Sequence, residues 1–267
     1  MSFRQSLVAT PSALKVGMAE AMAYRAQMAV WVLSTTMPFV MLAMWSAVAA
    51  DGPVGRFTSA GFGAYFLCTF IVRQLTSSWV AWQMNYEVRT GVMSMRLLKP
   101  IHPIWHYGME SVAFIPMKLV IALPVAALLL VTLGRDAVAS DWMLWALWVV
   151  ALVGGWSINF LASAAIGCLS LFMSQSIKVM DVWFVCFSLF SGYLIPVELF
   201  PAWALPVVDV LPFRFVIGFP VQLMTGALSR GEALALLAGQ WGWVAFFLGS
   251  TALLWRTGLK RFGAYGG

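Results

Sequence analysis

Residues 85–103 read NYEVRTGVMSMRLLKPIHP and lie between two long apolar runs. Four charged residues fall within this short segment: Glu87, Arg89, Arg96 and Lys99. Charged residues make up only 10% of the 267-residue chain, so this cluster is unusual. The segment is too polar to span a bilayer, its residues favour a helix, and a proline at position 100 would end that helix. It therefore predicts a helix over 85–99 outside the hydrocarbon.

The apolar runs around this segment predict an all-α integral membrane protein. Hydrophobic residues make up 62% of the chain, against ~45–50% in an ordinary soluble domain. A spanning helix needs ~20 mostly apolar residues. The six predicted spans cover approximately 27–50, 60–83, 110–133, 142–172, 179–196 and 234–256. No polar stretch is long enough to form a soluble domain, so residues 27–267 are predicted to be one transmembrane domain.

The distribution of basic residues predicts the orientation of these spans, because Lys and Arg accumulate on the cytoplasmic side of a membrane. One side of the predicted topology holds Arg4, Lys15, Arg25, Arg89, Arg96, Lys99, Lys178, Arg256, Lys260 and Arg261. The other side holds Arg56, Arg135, Arg214 and Arg230. Both termini are therefore expected in the cytoplasm. The net charge of +6 reflects topology and does not indicate nucleic-acid binding.

Residues 1–26 are predicted to form an amphipathic helix that lies along the inner leaflet. Leu14, Met18 and Met22 fall on one stripe of this helix, and Lys15 lies elsewhere on it. A single apolar stripe with basic residues outside it suits a helix that rests in the membrane interface.

Residues 197–225, after the fifth span, are predicted to enter the membrane only partly. The region is apolar, but it is dense in proline: Pro196, Pro201, Pro206, Pro212 and Pro220. Proline at this density excludes one continuous helix. Because broken helices at membrane depth must be covered by protein or line a cavity, we expect short re-entrant or interfacial helices here.

Motifs for catalysis or nucleotide binding do not occur in the sequence. There is no G-x-x-x-x-G-K-[ST] loop, no G-x-S-x-G elbow and no H-E-x-x-H pair. His102, His106 and Glu110 are spaced four apart, but Pro103 interrupts a helix there, and ordinary interfacial roles are favoured over a metal site. The chain is predicted not to be an enzyme and to bind no metal or cofactor itself.

Arg73 is the most informative charge within a predicted span. A cation near the middle of the bilayer is costly, and such residues often face a cavity or a partner. Gln74, Thr76 and Ser77 extend the polar patch around it. Two interpretations stay open: a substrate path or gate, or a structural hydrogen bond to a neighbouring helix or subunit.

Other residues of the spans have similar alternatives. Phe184, Phe187 and Phe190 recur every third residue of the fifth span. They could line a hydrophobic passage, but such a row more often packs against helices or lipid. Lys118, inside the third predicted span, is expected to extend its ammonium toward the interface.

A helical wheel gives the 85–99 segment two apolar faces. One face holds Val88, Gly91, Val92, Met95 and Leu98. The roughly opposite face holds Tyr86, Met93 and Leu97. Two apolar faces suit a helix held between its own membrane domain and a partner docking from the cytoplasm. The alternative is an ordinary amphipathic loop helix.

The complete pattern resembles an ABC type-2 exporter permease. Three passages carry the resemblance, in addition to the order of the spans: RTGVMSMRLLKPIHP (89–103), SGYLIPVELFP (191–201) and GLKRFGAYGG (258–267). They are similar to the small six-span branch that is usually encoded as two non-identical permeases beside a separate ATPase. The resemblance covers essentially the whole chain.

The resemblance implies roles for particular segments. Residues 85–99 correspond to the coupling helix, which seats in a cleft of the ATPase, and residues 1–26 correspond to the amphipathic connecting helix. The implied ATPase contacts are Glu87, Arg89, Thr90, Gly91 and Arg96. In the re-entrant helices, which the family places outside the cell, the residues implied in structure or gating are Pro196, Glu198 and Pro201.

The resulting hypothesis is the permease subunit of an ATP-driven exporter in the bacterial cytoplasmic membrane. Its expected partners are two ATPase domains, which would bind ATP and Mg²⁺, a second permease (a non-identical paralogue or a second copy) and membrane lipid. The translocation path would lie between the two permeases, and the apolar interior favours a hydrophobic or amphipathic cargo such as a lipid, a peptide or a natural product. The alternatives are a secondary transporter driven by an ion gradient and a membrane scaffold that transports nothing.

Overall fold

The computed structural model of the protein describes residues 3–23, 35–133, 137–173 and 175–262. This part of the chain is helical, with an isolated bridge between Val54 and Phe57 in place of any strand. In chain order the α-helices are α1 Phe3–Ala23, α2 Met37–Val48, α3 Ser59–Thr76, α4 Val80–Arg89, α5 Val92–Leu97, α6 Pro103–Ala113, α7 Ile115–Leu133, α8 Trp142–Cys168, α9 Ile177–Phe190, α10 Leu205–Val210, α11 Gly218–Met224 and α12 Arg230–Leu259.

Three helical stretches of the described chain are long and apolar enough to cross a membrane. They are Pro103–Leu133, which joins α6 and α7, then Trp142–Leu171 and Arg230–Leu259. A shorter apolar helix covers Met37–Val48. These lengths and compositions make the chain a multi-pass integral membrane protein.

The helices α8 and α12 begin close to where the apolar runs predict, because polar residues cap them. The Asp141 carboxylate accepts from the backbone N–H of Met143 at 3.0 Å at the start of α8. The Ser229 hydroxyl and the Glu232 carboxylate form a capping box at the start of α12. A 3-10 turn, Leu169–Leu171, extends α8.

The centre of the molecule is α8, which packs against α3, α4, α11 and α12. Its second half is almost completely buried and rich in small side chains, including Ala162, Ser163, Ala164 and Ala165. Small residues let helix backbones approach each other closely within a membrane. The helix α3 is the other central element, and its residues 62–72 are all buried.

Two predicted helices are interrupted in the structure. Where the pattern predicts one span over 60–83, α3 ends at Thr76 and α4 begins at Val80. Where it predicts one helix over 85–99, α4 ends at Arg89 and α5 covers Val92–Leu97. Gly91 joins α4 and α5 with φ of +78°, a left-handed conformation that glycine adopts without steric cost.

At the N-terminal side, α1 packs along α6. A Cβ atom added to Gly17 would lie 2.8 Å from Cβ of Ala113, so this close approach requires glycine. Residues 24–34 lie outside the described residues, and they include the first part of the predicted span 27–50. The described part of that span forms α2.

The Pro-rich segment, residues 196–225, forms short helical pieces. Two 3-10 turns, Val197–Leu199 and Pro212–Phe215, alternate with α10 and α11. Residues 212–224 are all buried, and the Gln240 amide donates to the carbonyl of Phe215 at 2.8 Å. Most of α10 is exposed, and the Trp243 indole donates to the carbonyl of Val210 at 2.9 Å there. Covered, broken helices of this kind are compatible with a position at membrane depth.

Candidate functional site

The elbow, residues 85–99, is fastened to α6 by a cluster of charged side chains. Nη2 and Nε of Arg96 donate to the two carboxylate oxygens of Glu87 at 2.6 and 2.7 Å. Nη1 of Arg96 lies 3.1 Å from Oε1 of Glu110 and also contacts the ring of His106. The Tyr107 hydroxyl donates to Glu87 at 2.5 Å. This cluster joins α4, α5 and α6.

Burial and charge act in opposite directions on Arg96. Burial lowers the pKa of its guanidinium, but the hydrogen bonds to Glu87 and the charge of Glu110 outweigh this effect and raise that pKa. The side chains of Glu87 and Arg96 are only 7% and 11% exposed. Both residues are implied ATPase contacts, and in the structure both point into the protein.

The opposite surface of the elbow is exposed. Tyr86, Met95 and Leu98 are 65%, 66% and 79% exposed, and Arg89 and Thr90 are exposed beside them. Several large apolar side chains exposed on one short segment suit a docking partner. Of the five implied contacts, Arg89 and Thr90 lie on this surface.

The turn at Gly91 changes which residues share a face. On a continuous helix Val88 and Met93 would lie on opposite faces, but in the structure both are buried. Gly91 itself is half-buried. The elbow therefore has one inner and one outer apolar surface, as the wheel predicts, but with a different set of residues on each.

The second candidate region is the helix break, residues 77–79, between α3 and α4. A break leaves backbone carbonyls without helical partners. Here the Asn159 amide of α8 donates to the carbonyl of Thr76 at 2.8 Å, and the Lys118 ammonium of α7 donates to the carbonyl of Ser77 at 3.0 Å. Lys118 thus has a specific partner inside the protein, where the sequence suggests an extension toward the interface.

Arg73 lies one turn before the helix break. Its guanidinium carbon is 4.8 Å from the ring centroid of Phe187 and 5.8 Å from that of Tyr193. Its Nε atom is buried without a hydrogen-bond partner. The ammonium of Lys118 lies at the carbonyl of Ser77, one turn beyond Arg73. The structure therefore brings together Arg73 and Phe187, two of the proposed path residues, and adds Lys118.

The remaining proposed path residues have other surroundings. The Gln74 amide donates to the hydroxyl of Thr35 at 2.7 Å, so it connects α3 to the chain before α2. The Ser77 hydroxyl donates to the carbonyl of Gln74 at 3.2 Å. Phe184 is 45% exposed on α9 and is stacked on Phe187 at 6.3 Å.

Glu198, proposed for gating, is the centre of a polar network in the Pro-rich segment. Its carboxylate accepts from Arg56 at 2.6 Å and from the amide of Gln222 at 2.7 Å. Pro196 is buried and starts the 3-10 turn that carries Glu198. The carbonyl of Pro201 accepts from the N–H of Ala204 at 2.8 Å before α10. All three residues shape the Pro-rich segment.

Comparison with known proteins identifies the family. The family model described as "ABC-2 family transporter protein" matches residues 54–266, a range that includes the elbow, the helix break and the Pro-rich segment. The chain therefore belongs to the ABC-2 family of transporter proteins and is a membrane permease of an ABC transporter. Membership implies an ATPase partner and a membrane subunit that is itself non-catalytic. No curated protein matches the chain.

Proposed function

We propose that the chain is the permease subunit of an ATP-driven exporter in the bacterial cytoplasmic membrane. Six spans, both termini and the elbow would take the orientation that the basic residues indicate. Two permeases, non-identical or identical, would form the translocation path between them. Two ATPase domains, which bind ATP and Mg²⁺, would dock on the elbows, and the cargo would be hydrophobic or amphipathic.

The observation that carries this proposal is the two-sided construction of the elbow. Its inner side is held by the Arg96–Glu87 pair, whose two hydrogen bonds are 2.6 and 2.7 Å long. Its outer side presents Arg89 with the apolar side chains of Met95 and Leu98. A segment that is rigidly attached on one side and open on the other is suited to receive a force from a partner.

The contacts of the elbow also provide a route toward the helix break. Arg96 connects the elbow to Glu110 of α6, and α6 continues into α7, which carries Lys118. The Asn85 amide donates to the hydroxyl of Ser176 at 2.8 Å, directly before α9. Movement of the elbow would therefore be transmitted to α7 and α9 through packed, hydrogen-bonded elements.

The docking proposal is tested by charged substitutions on the outer side of the elbow. Arg89→Glu and Met95→Glu are expected to leave membrane insertion intact, because both positions are exposed. Loss of a central interface contact costs about 2 kcal/mol or more, so binding of the ATPase should weaken by roughly 30-fold. Copurification of the ATPase and ATP hydrolysis by the purified complex are the measurements.

Lys15→Glu is the matched control, because Lys15 is an exposed cation of α1 and is not part of the elbow. It should copurify the ATPase as the unchanged chain does. Unchanged copurification and hydrolysis in both elbow variants would contradict the proposal. ATP hydrolysis by a reconstituted complex that moves no cargo would favour the scaffold, and cargo uptake that is insensitive to ATP depletion would favour an ion-driven transporter.

A further inference from the structure

The two cations at the helix break have no carboxylate near them in the part of the chain that the structure describes. Each acidic side chain that the structure describes has a partner elsewhere or is exposed. Glu87 and Glu110 hold Arg96, Glu198 holds Arg56, Asp209 holds Arg214, Asp141 holds Arg230, Asp181 holds Lys178, Glu232 caps α12, and Asp51 is exposed after α2. Arg73 and Lys118 are thus not neutralised by any of these groups.

Donors at the same place also lack partners. Nε of Arg73 and the hydroxyl of Ser78 are buried without a hydrogen bond. Buried donors are usually paired, because an unpaired one costs ~1–3 kcal/mol. The carbonyls of Thr76 and Ser77 already accept from Asn159 and Lys118. What remains unmatched at the helix break is therefore positive charge and hydrogen-bond donors, the complement of an anion.

The N-terminal end of α4 adds to this charge. The helix begins at Val80 without a side-chain cap, so its first N–H groups carry a partial positive charge. The opposite partial charge, at the C-terminal end of α3, is met by Asn159 and Lys118. Discontinuous membrane helices present their N-terminal ends to anionic groups of substrates for this reason.

The surroundings of the two cations are apolar and aromatic. Phe187 and Tyr193 lie over the guanidinium of Arg73. Beyond Lys118 the surface of α7 exposes Val120 and Leu123, at 70% and 61%. A ligand here meets positive charge and apolar side chains together.

From these observations we infer that Arg73, Lys118 and the helix break bind the anionic headgroup, a phosphate or a carboxylate, of an amphipathic molecule whose apolar part lies against α7 and α9. The contacts described above are sufficient to support the ligand site. Its identification as a cargo site on the translocation path rests on the proposed exporter function.

Binding is measured on the purified full chain in detergent, without the ATPase. The probes are dioctanoyl phosphatidic acid, dioctanoylglycerol with the same acyl chains and no charge, and inorganic phosphate. Phosphatidic acid should bind, and the other two should bind at least tenfold more weakly. Loss of a hydrogen bond to a charged group costs ~1.5–3 kcal/mol, so Arg73→Gln and Lys118→Met should each weaken phosphatidic acid binding about tenfold or more.

Two further variants separate binding from folding. Arg73→Lys keeps the charge and should retain more binding than Arg73→Gln. Arg256→Gln removes an exposed cation at the end of α12 and should bind as the unchanged chain does. Equal binding by Arg73→Gln and the unchanged chain would overturn the inference. Displacement of phosphatidic acid by equimolar inorganic phosphate would overturn the assignment to an amphipath.

The failure of this site and the failure of the exporter proposal give different results. If the chain binds phosphatidic acid through Arg73 but the complex transports nothing with ATP, the ligand site stands and the exporter proposal fails. If ATP-driven transport is measured and Arg73→Gln binds phosphatidic acid unchanged, the exporter proposal stands and this inference fails.

Discussion

Arg89 and Arg96 lie in the same charged segment, yet their surroundings give them different roles. Arg89 is exposed at the end of α4. Arg96 is nearly buried and forms two hydrogen bonds with Glu87 and an ion pair with Glu110. A planar guanidinium matches a carboxylate in this two-pronged geometry, and lysine would not. Arg89 is available to a partner, whereas Arg96 maintains the shape that the partner would recognise.

We predict that Glu87→Ala lowers the stability of the folded chain substantially. Removing one partner of a buried ion pair lowers the free energy of unfolding by about 3–5 kcal/mol. We expect the lower end of this range, because Arg96 still forms its ion pair with Glu110 in the variant. Asp181→Ala is the control: its pair with Lys178 is 3.8 Å long and exposed, so its loss should cost ~0–1 kcal/mol. Thermal unfolding of both purified variants measures the difference. Equal melting temperatures would contradict the structural role of Glu87.

Single residues were predictable where their chemistry is unusual in a membrane. Arg73 is conspicuous in sequence because a cation within an apolar run is costly, and the structure places it against Phe187. The partner of Lys118 was not predictable. The carbonyl of Ser77 becomes free only because α3 stops at Thr76, and that stop depends on contacts with distant parts of the chain.

Among the elements, α8 shows how small residues determine packing. A Cβ atom added to Gly167 would lie 2.8 Å from Sδ of Met84 and 3.4 Å from Cα of Ala81, both on α4. The absence of a side chain at position 167 lets α4 lie directly against α8. Because α4 leads into the elbow, this contact positions the proposed docking segment.

We therefore predict that Gly167→Leu displaces α4 and destabilises the chain. Overpacking of a tight contact costs ~1–3 kcal/mol. Gly242→Leu on α12 is the matched control, because a Cβ atom there would meet nothing within 4 Å, and leaving glycine in a helix gains up to ~1 kcal/mol. Thermal unfolding and ATPase copurification are the measurements. Wild-type values for Gly167→Leu in both would contradict the close α4–α8 contact.

Helix interiors were easier to predict than helix breaks. The limits of α8 and α12 follow from apolar runs that end at capping residues such as Asp141 and Ser229. Gly91 marks a position where a left-handed turn has little steric cost, but a sequence pattern alone cannot show that the chain turns there. The break after Thr76 has no proline or glycine beside it. It exists because Asn159 and Lys118 satisfy the freed carbonyls.

For the whole molecule, the structure places the elbow and the Pro-rich segment against opposite halves of α8. The stretch Trp142–Leu171 is 30 residues long, which corresponds to ~45 Å. The elbow lies at one end of it, since Asn85 bonds Ser176 just beyond that stretch. The Pro-rich segment contacts the other half of α8, where Ala151 and Phe215 share the amide of Gln240. Docking at the elbow would act on the helix break through α4, from the end of α8 opposite the Pro-rich segment.

The central claim is that the ATPase docks on the outer surface of the elbow. It is tested most directly by photo-crosslinking of the intact complex in membranes, with p-benzoylphenylalanine at position 95 or at position 142. Met95 and Trp142 are both well exposed, at 66% and 75%, but Trp142 begins α8 at the end distant from the elbow. An adduct with the ATPase from position 95 and none from position 142 is the expected result. No adduct from position 95 in a complex that still contains the ATPase would contradict the account.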